Sequence, residues 1–549
     1  MSLRDDLVHA IATARDRAIE SGAVTVSTDT ALPSIGIERP ANPDHGDWAS
    51  NVAMQLAPAA RMAPIRIAQA IVDHLERPVS VASVEIAPPG FLNLRLDHAW
   101  VAAQVGPIRD AGDAYGRATS TDPRRINVEF VSANPTGPLH VGNARGAFVG
   151  DVLSRVLAAA GHDVAREYYF NDFGAQVVNL GLSVLARHRG TDLPEDGYHG
   201  AYVDDLAAEL PADVIAAADA APDDAGMVVG KWASERVRAG IESSLARLGV
   251  RFDVWKDEGS LHAEGWVERA VARLREAGHV YEDEGATWFR STSFGDDKDR
   301  VIHRSTGQPT YFASDIGYVT EKFDRGFDEL IYIWGADHHG TVARVRNAAE
   351  AMGYDREAVR MLLIAWVRFV RDGVEIPMSK RSGEFITLDE LLDEVGVDAA
   401  RWFFSSRAYT TGIDFDLELA KKQSNENPVY YVQYAHARAS SILRNAPSGA
   451  APDASRTGEL PAHPSEQALV RHLLDFPDAI ATAAERRETH EVPRYAYELS
   501  AAFSAFYRDC KVLTDDAALT SARLALVDAT RGVLANALEL LGISAPDSM

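Results

Sequence analysis

The chain has 549 residues, which is too long for one hydrophobic core and predicts about three or four domains. Its 46% hydrophobic and 25% charged residues are ordinary for a globular protein, and its single cysteine, Cys510, excludes a disulfide framework and a thiolate zinc site. The net charge of −25 does not exclude nucleic acid as a partner, because binding phosphates needs only a local basic patch. An acidic N-terminus and the absence of a long apolar run predict a cytoplasmic protein without a membrane span.

The first block, residues 1–110, has the pattern of a small α+β module. Apolar residues at helical spacing predict one helix from Leu3 and another after Pro64. Short strands are predicted over residues 84–87 and 91–96. On the second strand Phe91 and Asn93 are two residues apart, so their side chains are expected on the same side.

In the second block, residues 122–420, strands alternate with helices. Buried strands are predicted over residues 126–132, 164–170 and 330–334. This alternation predicts a Rossmann-like, doubly wound parallel sheet, with ligands at the carboxyl ends of its strands. An insertion of mixed character is predicted over about residues 183–300.

The segment VEFVSANPTGPLHVGN, residues 128–143, is the most informative part of the chain. It predicts a strand, a Pro/Gly turn and a helix that begins at His140. The N-terminus of a helix has unpaired N–H groups and the positive end of the helix dipole, so it favours phosphate, and His140 adds a donor. Gly142 and Gly146 lack side chains where a flat base could lie against the backbone.

A second segment, MSKRSG at residues 378–383, is a short loop whose lysine suits a polyphosphate. Together the two segments resemble the HIGH and KMSKS signatures of class I aminoacyl-tRNA synthetases. Either motif alone is weak, but their order and separation are specific.

The third block, residues 421–549, is predicted to be entirely helical. Pro428 occupies the first position of one helix, and Gly542 is expected to end the last one. A segment rich in Pro, Ala, Gly and Ser, residues 445–464, is predicted to be a linker.

Longer motifs in all three blocks are similar to those of bacterial arginyl-tRNA synthetases, and the likeness covers nearly the whole chain. These motifs are DHGDWASN (44–51), PGFLN (89–93), YFASD (311–315), GADHHG (335–340), NPVYYVQYAHAR (427–438) and the tail from Leu541. The resemblance implies ATP-dependent ligation of L-arginine to its tRNA through an arginyl-adenylate. It also implies an N-terminal module that binds the tRNA elbow and a C-terminal anticodon-binding domain. Mg²⁺ is expected on the polyphosphate without a dedicated protein site. The enzyme is expected to be a monomer.

The resemblance also assigns residues to each ligand. His140 and Lys380 are the expected catalytic residues. The residues expected to bind ATP are Pro138, His140, Gly142, Asn143, Gly335, Asp337, His338, Met378, Ser379 and Lys380. Those expected to bind arginine are Asn134, Glu258, Tyr311 and Asp315, and those expected to bind tRNA are Phe91, Asn93, Tyr430 and Tyr434. For Phe91, Tyr430 and Tyr434 the sequence leaves open a role in the core, and for Glu258 a solvated surface position.

Three residues depart from the family pattern. Asn143 stands where HIGH ends in histidine, Pro377 replaces the first lysine of KMSK, and Ala365 replaces a glutamine near the substrate. These departures leave a second interpretation open. In it the chain is a divergent second copy of the enzyme, a synthetase-like tRNA-binding or regulatory protein that no longer aminoacylates. A nucleotidylyltransferase with an HxGH motif is a further alternative, but the helical C-terminal third disfavours it. His140 and Lys380 favour an active enzyme.

Overall fold

The computed structural model describes residues 3–27, 31–376, 386–460 and 463–549. Its first block is an antiparallel sheet of three strands, in the order β1-β3-β2, packed against helices. The strands are β1 (Trp48–Ser50), β2 (Val81–Ala87) and β3 (Phe91–Leu96). The helices are α1 (Leu3–Glu20), α2 (Val52–Ala60), α3 (Pro64–Asp73), α4 (His98–Ala103) and α5 (Val105–Ala111). The predicted α+β module is confirmed.

The second block is built on a parallel sheet of five strands in the order β11-β10-β4-β5-β6. These strands are β4 (Arg125–Glu129), β5 (Asp163–Phe170), β6 (Val254–Asp257), β10 (Glu329–Gly335) and β11 (Val359–Ile364). The block also has two smaller sheets of three strands each. One contains β7 (Val280–Asp283), β8 (Ala286–Phe289) and β9 (Arg300–His303). The other contains β12 (Val367–Arg371), β13 (Val374–Ile376) and β14 (Ile413–Asp416). The predicted parallel sheet is confirmed.

The helices of this block connect the strands. They are α6 (Val141–Ala159), α7 (Ala175–Arg189), α8 (Ala201–Glu209), α9 (Ala212–Ala220), α10 (Ala225–Arg247), α11 (Glu258–Ala263), α12 (Trp266–Glu276), α13 (Tyr311–Asp324), α14 (His339–Ala351), α15 (Leu388–Val395), α16 (Val397–Ser405) and α17 (Leu417–Lys421). Strand β6 falls inside the insertion predicted over residues 183–300, yet it forms the edge of the main sheet. Residues 183–300 are therefore not a single insertion outside the main sheet, because they supply one of its strands.

The strand predicted over residues 126–132 ends earlier, at Glu129. Val131 and Ser132 have φ angles of +67° and +41°, which take the chain out of the sheet. A positive φ is costly for a residue with a Cβ atom, most of all for a β-branched one, and such strain is often found at functional sites. Both residues line the cavity described below.

The third block is helical, as predicted: α18 (Pro428–Arg444), α19 (Pro464–Leu474), α20 (Phe476–Arg486), α21 (Glu491–Asp509) and α22 (Ala517–Leu541). Pro428 is at the start of α18, and Gly542 caps α22 in the left-handed conformation. The predicted linker includes a short 3₁₀ segment, Ala454–Glu459. None of the described helices is long and apolar enough to cross a membrane.

Arg401 fastens the third block to the second. Its guanidinium is fully buried and donates to the carbonyl oxygens of Leu541 (2.5 Å) and Leu248 (2.7 Å). It also pairs with Asp151 on α6, the helix that begins beside His140. A buried guanidinium needs such a set of acceptors, so this junction fixes α6 against the C-terminal helices.

Candidate active site

A cavity of about 620 Å³ opens at the carboxyl ends of β4, β5 and β10. In a parallel α/β sheet this edge is where ligands bind. Of the residues predicted to bind ligands, the ones that line it are Asn134, His140, Gly142, Asn143, Glu258, Tyr311, Asp315, Gly335, Asp337 and His338. The fold thus brings together residues that are up to about two hundred positions apart in the sequence.

His140 precedes the first turn of α6 and caps it. Its Nδ1 accepts a hydrogen bond from the N–H of Gly142 (3.1 Å), which places the ring proton of the neutral imidazole on Nε2. Burial lowers the pKa of His140, which favours this neutral form. A Cβ atom on Gly142 would lie 2.8 Å from the imidazole, so glycine is required here by the cap itself.

Asn143 completes the cap. Its Oδ1 accepts from the backbone N–H of His140 at 3.2 Å, so His140 and Asn143 form a capping box. The departure from HIGH therefore has a structural role at the start of α6. Ala365, the third departure, accepts a hydrogen bond through its carbonyl oxygen from Arg145 of α6 (2.8 Å), and its neighbour Ile364 lines the cavity.

The loop after β10 forms the opposite side of the cavity. A Cβ atom on Gly335 would lie 2.4 Å from an oxygen of Asp337, so a side chain there would displace that carboxylate. Asp337 and His338 are largely exposed, and His338 lies against Trp334 with 5.5 Å between ring centroids. Carboxylate and imidazole at the mouth of the cavity are suited to hydrogen bonding a polar ligand.

Carboxylates gather at the inner end of the cavity: Glu129, Glu258 and Asp315. Asp257 caps α11, and Thr310 caps α13, which fixes the helix turns that carry Glu258 and Asp315. Burial, and then the charges of Glu129 and Glu258, raise the pKa of Asp315 to about 7. Like-charged groups held together in this way favour a cationic ligand.

Tyrosines and an amide complete this end of the cavity. Tyr311 is 73% exposed at the rim, one helical turn before Asp315, as the four-residue spacing predicts. Burial, followed by the charge of Glu258, raises the pKa of Tyr169. Asn134 donates through Nδ2 to Gln176 (2.7 Å) and accepts from the N–H of Asn171 (3.3 Å), so its amide is fixed in orientation.

Glu129 and Tyr169 are site residues that the sequence analysis missed. Both lie at the carboxyl ends of strands, Glu129 at the last position of β4 and Tyr169 next to the last of β5. A glutamate at the carboxyl end of a strand predicted to be buried is a signal that could have identified Glu129.

Other predicted residues lie elsewhere. Pro138 is exposed and is not among the residues that line the cavity. Phe91 is half-buried and Asn93 is 7% exposed on the central strand β3, so the predicted roles of both residues in tRNA binding stay predictions. Tyr430 and Tyr434 are half-buried on α18 with parallel rings, 6.2 Å between centroids. Pro377, Met378, Ser379 and Lys380 lie outside the described residues.

Within the part of the chain that the structure describes, one group of side chains has the spacing of metal ligands. It consists of Glu488, His490 and Glu491 in the third block, with ligand atoms within 4.8 Å of one another. Glu491 already pairs with Arg494. These residues are not among those that line the cavity.

Comparison with known proteins covers the same three blocks. Residues 2–96 match the arginyl tRNA synthetase N terminal domain, residues 109–193 and 231–406 the catalytic domain of class I tRNA synthetases (R), and residues 432–549 the DALR anticodon binding domain. The chain is 46% identical to arginine–tRNA ligases of Heliobacterium modesticaldum, over 94% of each chain, and of Moorella thermoacetica, over 99% of this chain and 98% of the relative. Thermus thermophilus arginyl-tRNA synthetase is similar in structure, with a TM-score of 0.79, 26% identity and full coverage of both chains.

Proposed function

Because the chain belongs to the arginyl-tRNA synthetase family and ligates arginine to tRNA, we propose that its cavity binds arginine at the inner, acidic end and ATP at the outer end. The observation that carries this proposal is the meeting of acidic side chains and a helix N-terminus in one cavity. A guanidinium is always charged at neutral pH, so it needs fixed acceptors, whereas phosphates need donors.

The reaction has two steps. The carboxylate of arginine attacks the α-phosphorus of ATP and pyrophosphate leaves, and a terminal hydroxyl of tRNA then takes the arginyl group from the adenylate. No covalent bond to the protein is needed in either step. The protein therefore accelerates the reaction by positioning its substrates and by stabilising charge that develops on phosphate oxygens.

At the inner end, Asp315, Glu258 and Tyr311 are the proposed ligands of the guanidinium and amino groups, with Asn134 near the backbone of the substrate. Glu129 joins them because it lines the same end of the cavity. Several acceptors can bind a planar, forked cation at once. The ammonium of lysine, in contrast, is a point charge at the end of a shorter side chain.

At the outer end, the N–H groups of the first turn of α6 and the Nε2–H of His140 are the proposed donors to the α-phosphate. Gly142 and Asn143 belong to the same turn, and Gly335, Asp337 and His338 are proposed to contact the ribose and base. Met378, Ser379 and Lys380 are proposed to contact the leaving phosphates, as the resemblance of their motif to KMSKS implies. Mg²⁺ is expected to arrive with ATP, bound mainly by its phosphate oxygens.

The first and third blocks are proposed to bind tRNA, with the first near the elbow and the third at the anticodon. Half-buried aromatic side chains such as Phe91, Tyr430 and Tyr434 suit stacking on unpaired bases. The enzyme is proposed to act as a monomer in the cytoplasm, where its tRNA substrate is used.

Phe91→Ala should raise the KM for tRNA several-fold and leave the KM for ATP unchanged, because the ring offers a stacking surface outside the ATP cavity. Steady-state charging with varied tRNA and varied ATP measures both constants. A variant with unchanged constants would show that Phe91 only packs within its module.

The KM for arginine should depend on pH through Asp315. The guanidinium requires the ionised carboxylate, whose pKa is raised to about 7 in the empty cavity. Below pH 7 the free enzyme must lose a proton to bind arginine, so the KM should rise towards about tenfold per pH unit as the pH falls, and level off above pH 8. Charging at saturating ATP and tRNA between pH 5.5 and pH 8.5 tests this.

Competition with analogues tests the assignment of the inner end. Citrulline has the shape of arginine without its charge, and lysine has the charge without the fork. Neither should compete with labelled arginine at concentrations near the KM for arginine. Efficient competition by citrulline would mean that the carboxylates do not contact the distal group of the substrate.

A further inference from the structure

Lys322 lies beneath the inner end of the cavity, and its side chain is fully buried. It extends from α13, and its Nζ donates to Oε2 of Glu129 at 2.6 Å. The ammonium also lies 4.1 and 4.0 Å from the ring centroids of Tyr318 and Tyr332. A buried lysine is rare and costly unless an anion and polarisable groups surround it, as they do here.

Glu129 connects this lysine with the cavity. It is 3% exposed, lines the cavity, and accepts from the hydroxyl of Ser132 at 3.1 Å as well as from Lys322. A carboxylate has about four acceptor positions, so Glu129 retains capacity for a ligand. Burial raises the pKa of Glu129, and the charge and hydrogen bond of Lys322 act in the opposite direction.

Other charged groups around Glu129 do not replace this lysine. Glu167 on β5 and Asp315 on α13 are anions, and each disfavours a charge on Glu129. Arg325 is directed to Glu167, with contacts of 2.8 and 2.7 Å, and Arg344 acts on Asp315. Tyr169, Tyr318 and Tyr332 are further titratable groups that interact with Glu129.

We propose that Lys322 is a positioning residue for arginine recognition: it holds Glu129 ionised and correctly oriented, so that the guanidinium meets an anion. The inference rests on the assignment of this end of the cavity to arginine. Lys322 is not a catalytic residue, because it is buried behind Glu129 and acts through it. A residue that only stabilised the fold would not affect how substrate affinity depends on pH.

The test is the KM for arginine of Lys322→Met between pH 6 and pH 9, at saturating ATP and tRNA. Without the ammonium, Glu129 should hold a proton near neutral pH, and arginine must displace it. At pH 7 the KM should exceed that of the wild type by about tenfold or more, which corresponds to one pKa unit, and the difference should shrink as the pH rises. Unlike kcat, KM does not depend on the folded fraction of the sample.

Lys256→Met is the matched control. Lys256 is also largely buried and contacts Glu264 and Glu321 at 3.5 and 3.7 Å, but it does not contact Glu129. The Lys256→Met variant should keep the wild-type pH dependence of the KM for arginine. The double variant Lys322→Met/Glu129→Gln removes both charges, so its KM should be raised by a similar factor across the pH range.

The outcomes separate the two proposals. A KM raised equally at every pH in Lys322→Met, or not raised at all, overturns the role of Lys322. If Lys322→Met does not fold, Glu129→Gln alone decides: an unchanged KM for arginine overturns the proposal, and an increase of about tenfold supports it. A wild-type protein that charges tRNA with a different amino acid would instead overturn the function of the cavity.

Discussion

Asp315→Asn should lower kcat/KM for arginine by several hundred-fold or more. The substitution keeps the shape of the side chain but removes a charge from the inner end of the cavity, where the guanidinium cannot lose its proton. Leaving a buried charge without its partner costs about 3–5 kcal/mol, and about 1.4 kcal/mol is a tenfold change. The measurement is steady-state charging with labelled arginine.

Asp324→Asn provides the control, because Asp324 is exposed at the end of the same helix. This variant should have the kinetics of the wild type. Near-normal arginine kinetics in Asp315→Asn would place the guanidinium elsewhere in the cavity. A loss in both variants would indicate damage to α13 rather than loss of a substrate contact.

His140→Asn should slow adenylate formation by about 10²–10³-fold, the usual effect of losing one donor to developing charge. Asparagine is a good helix cap, so the variant should keep the start of α6 while losing the Nε2–H that is proposed to reach the α-phosphate. ATP–pyrophosphate exchange in the presence of arginine and tRNA measures the step.

His140→Ala separates capping from catalysis. It should lose the same activity and, in addition, about 0.5–2 kcal/mol of stability, because the cap on Gly142 is removed. Thermal unfolding of the two variants gives the difference. Exchange at more than a tenth of the wild-type rate in His140→Asn would show that His140 serves only as the cap.

Local chemistry explains what the sequence predicted well. The capped start of α6 at His140, the proline at the start of α18 and the glycine at the end of α22 each depend on neighbouring residues alone. Strand β10 is a mostly apolar, buried run, and the observed bounds of β5 and β10 differ from the predicted ones by a residue at most at each end.

Tertiary structure explains what the sequence did not reveal. Strand β6 is a short edge strand with the polar residues Lys256 and Asp257, so it lacks an apolar pattern. The left-handed turn at Val131 and Ser132 is held by long-range contacts, including a hydrogen bond from the N–H of Tyr169 to the Ser132 hydroxyl (3.2 Å), which local propensity cannot predict.

The pairing of Lys322 with Glu129 joins residues 193 positions apart. In the sequence, Lys322 is one of several charged residues near the end of a helix, which is typical of a solvated surface. Only the packing of α13 against the parallel sheet shows that Lys322 is buried and that it contacts Glu129, which lines the cavity.

The most direct test of the function is aminoacylation of unfractionated tRNA by the purified protein, with ATP and Mg²⁺ and each of the labelled amino acids in turn. We predict that arginine alone is transferred to tRNA, and that the product is lost when ATP is omitted. Transfer of another amino acid in preference to arginine, or no transfer of arginine by folded protein that binds tRNA, would contradict it.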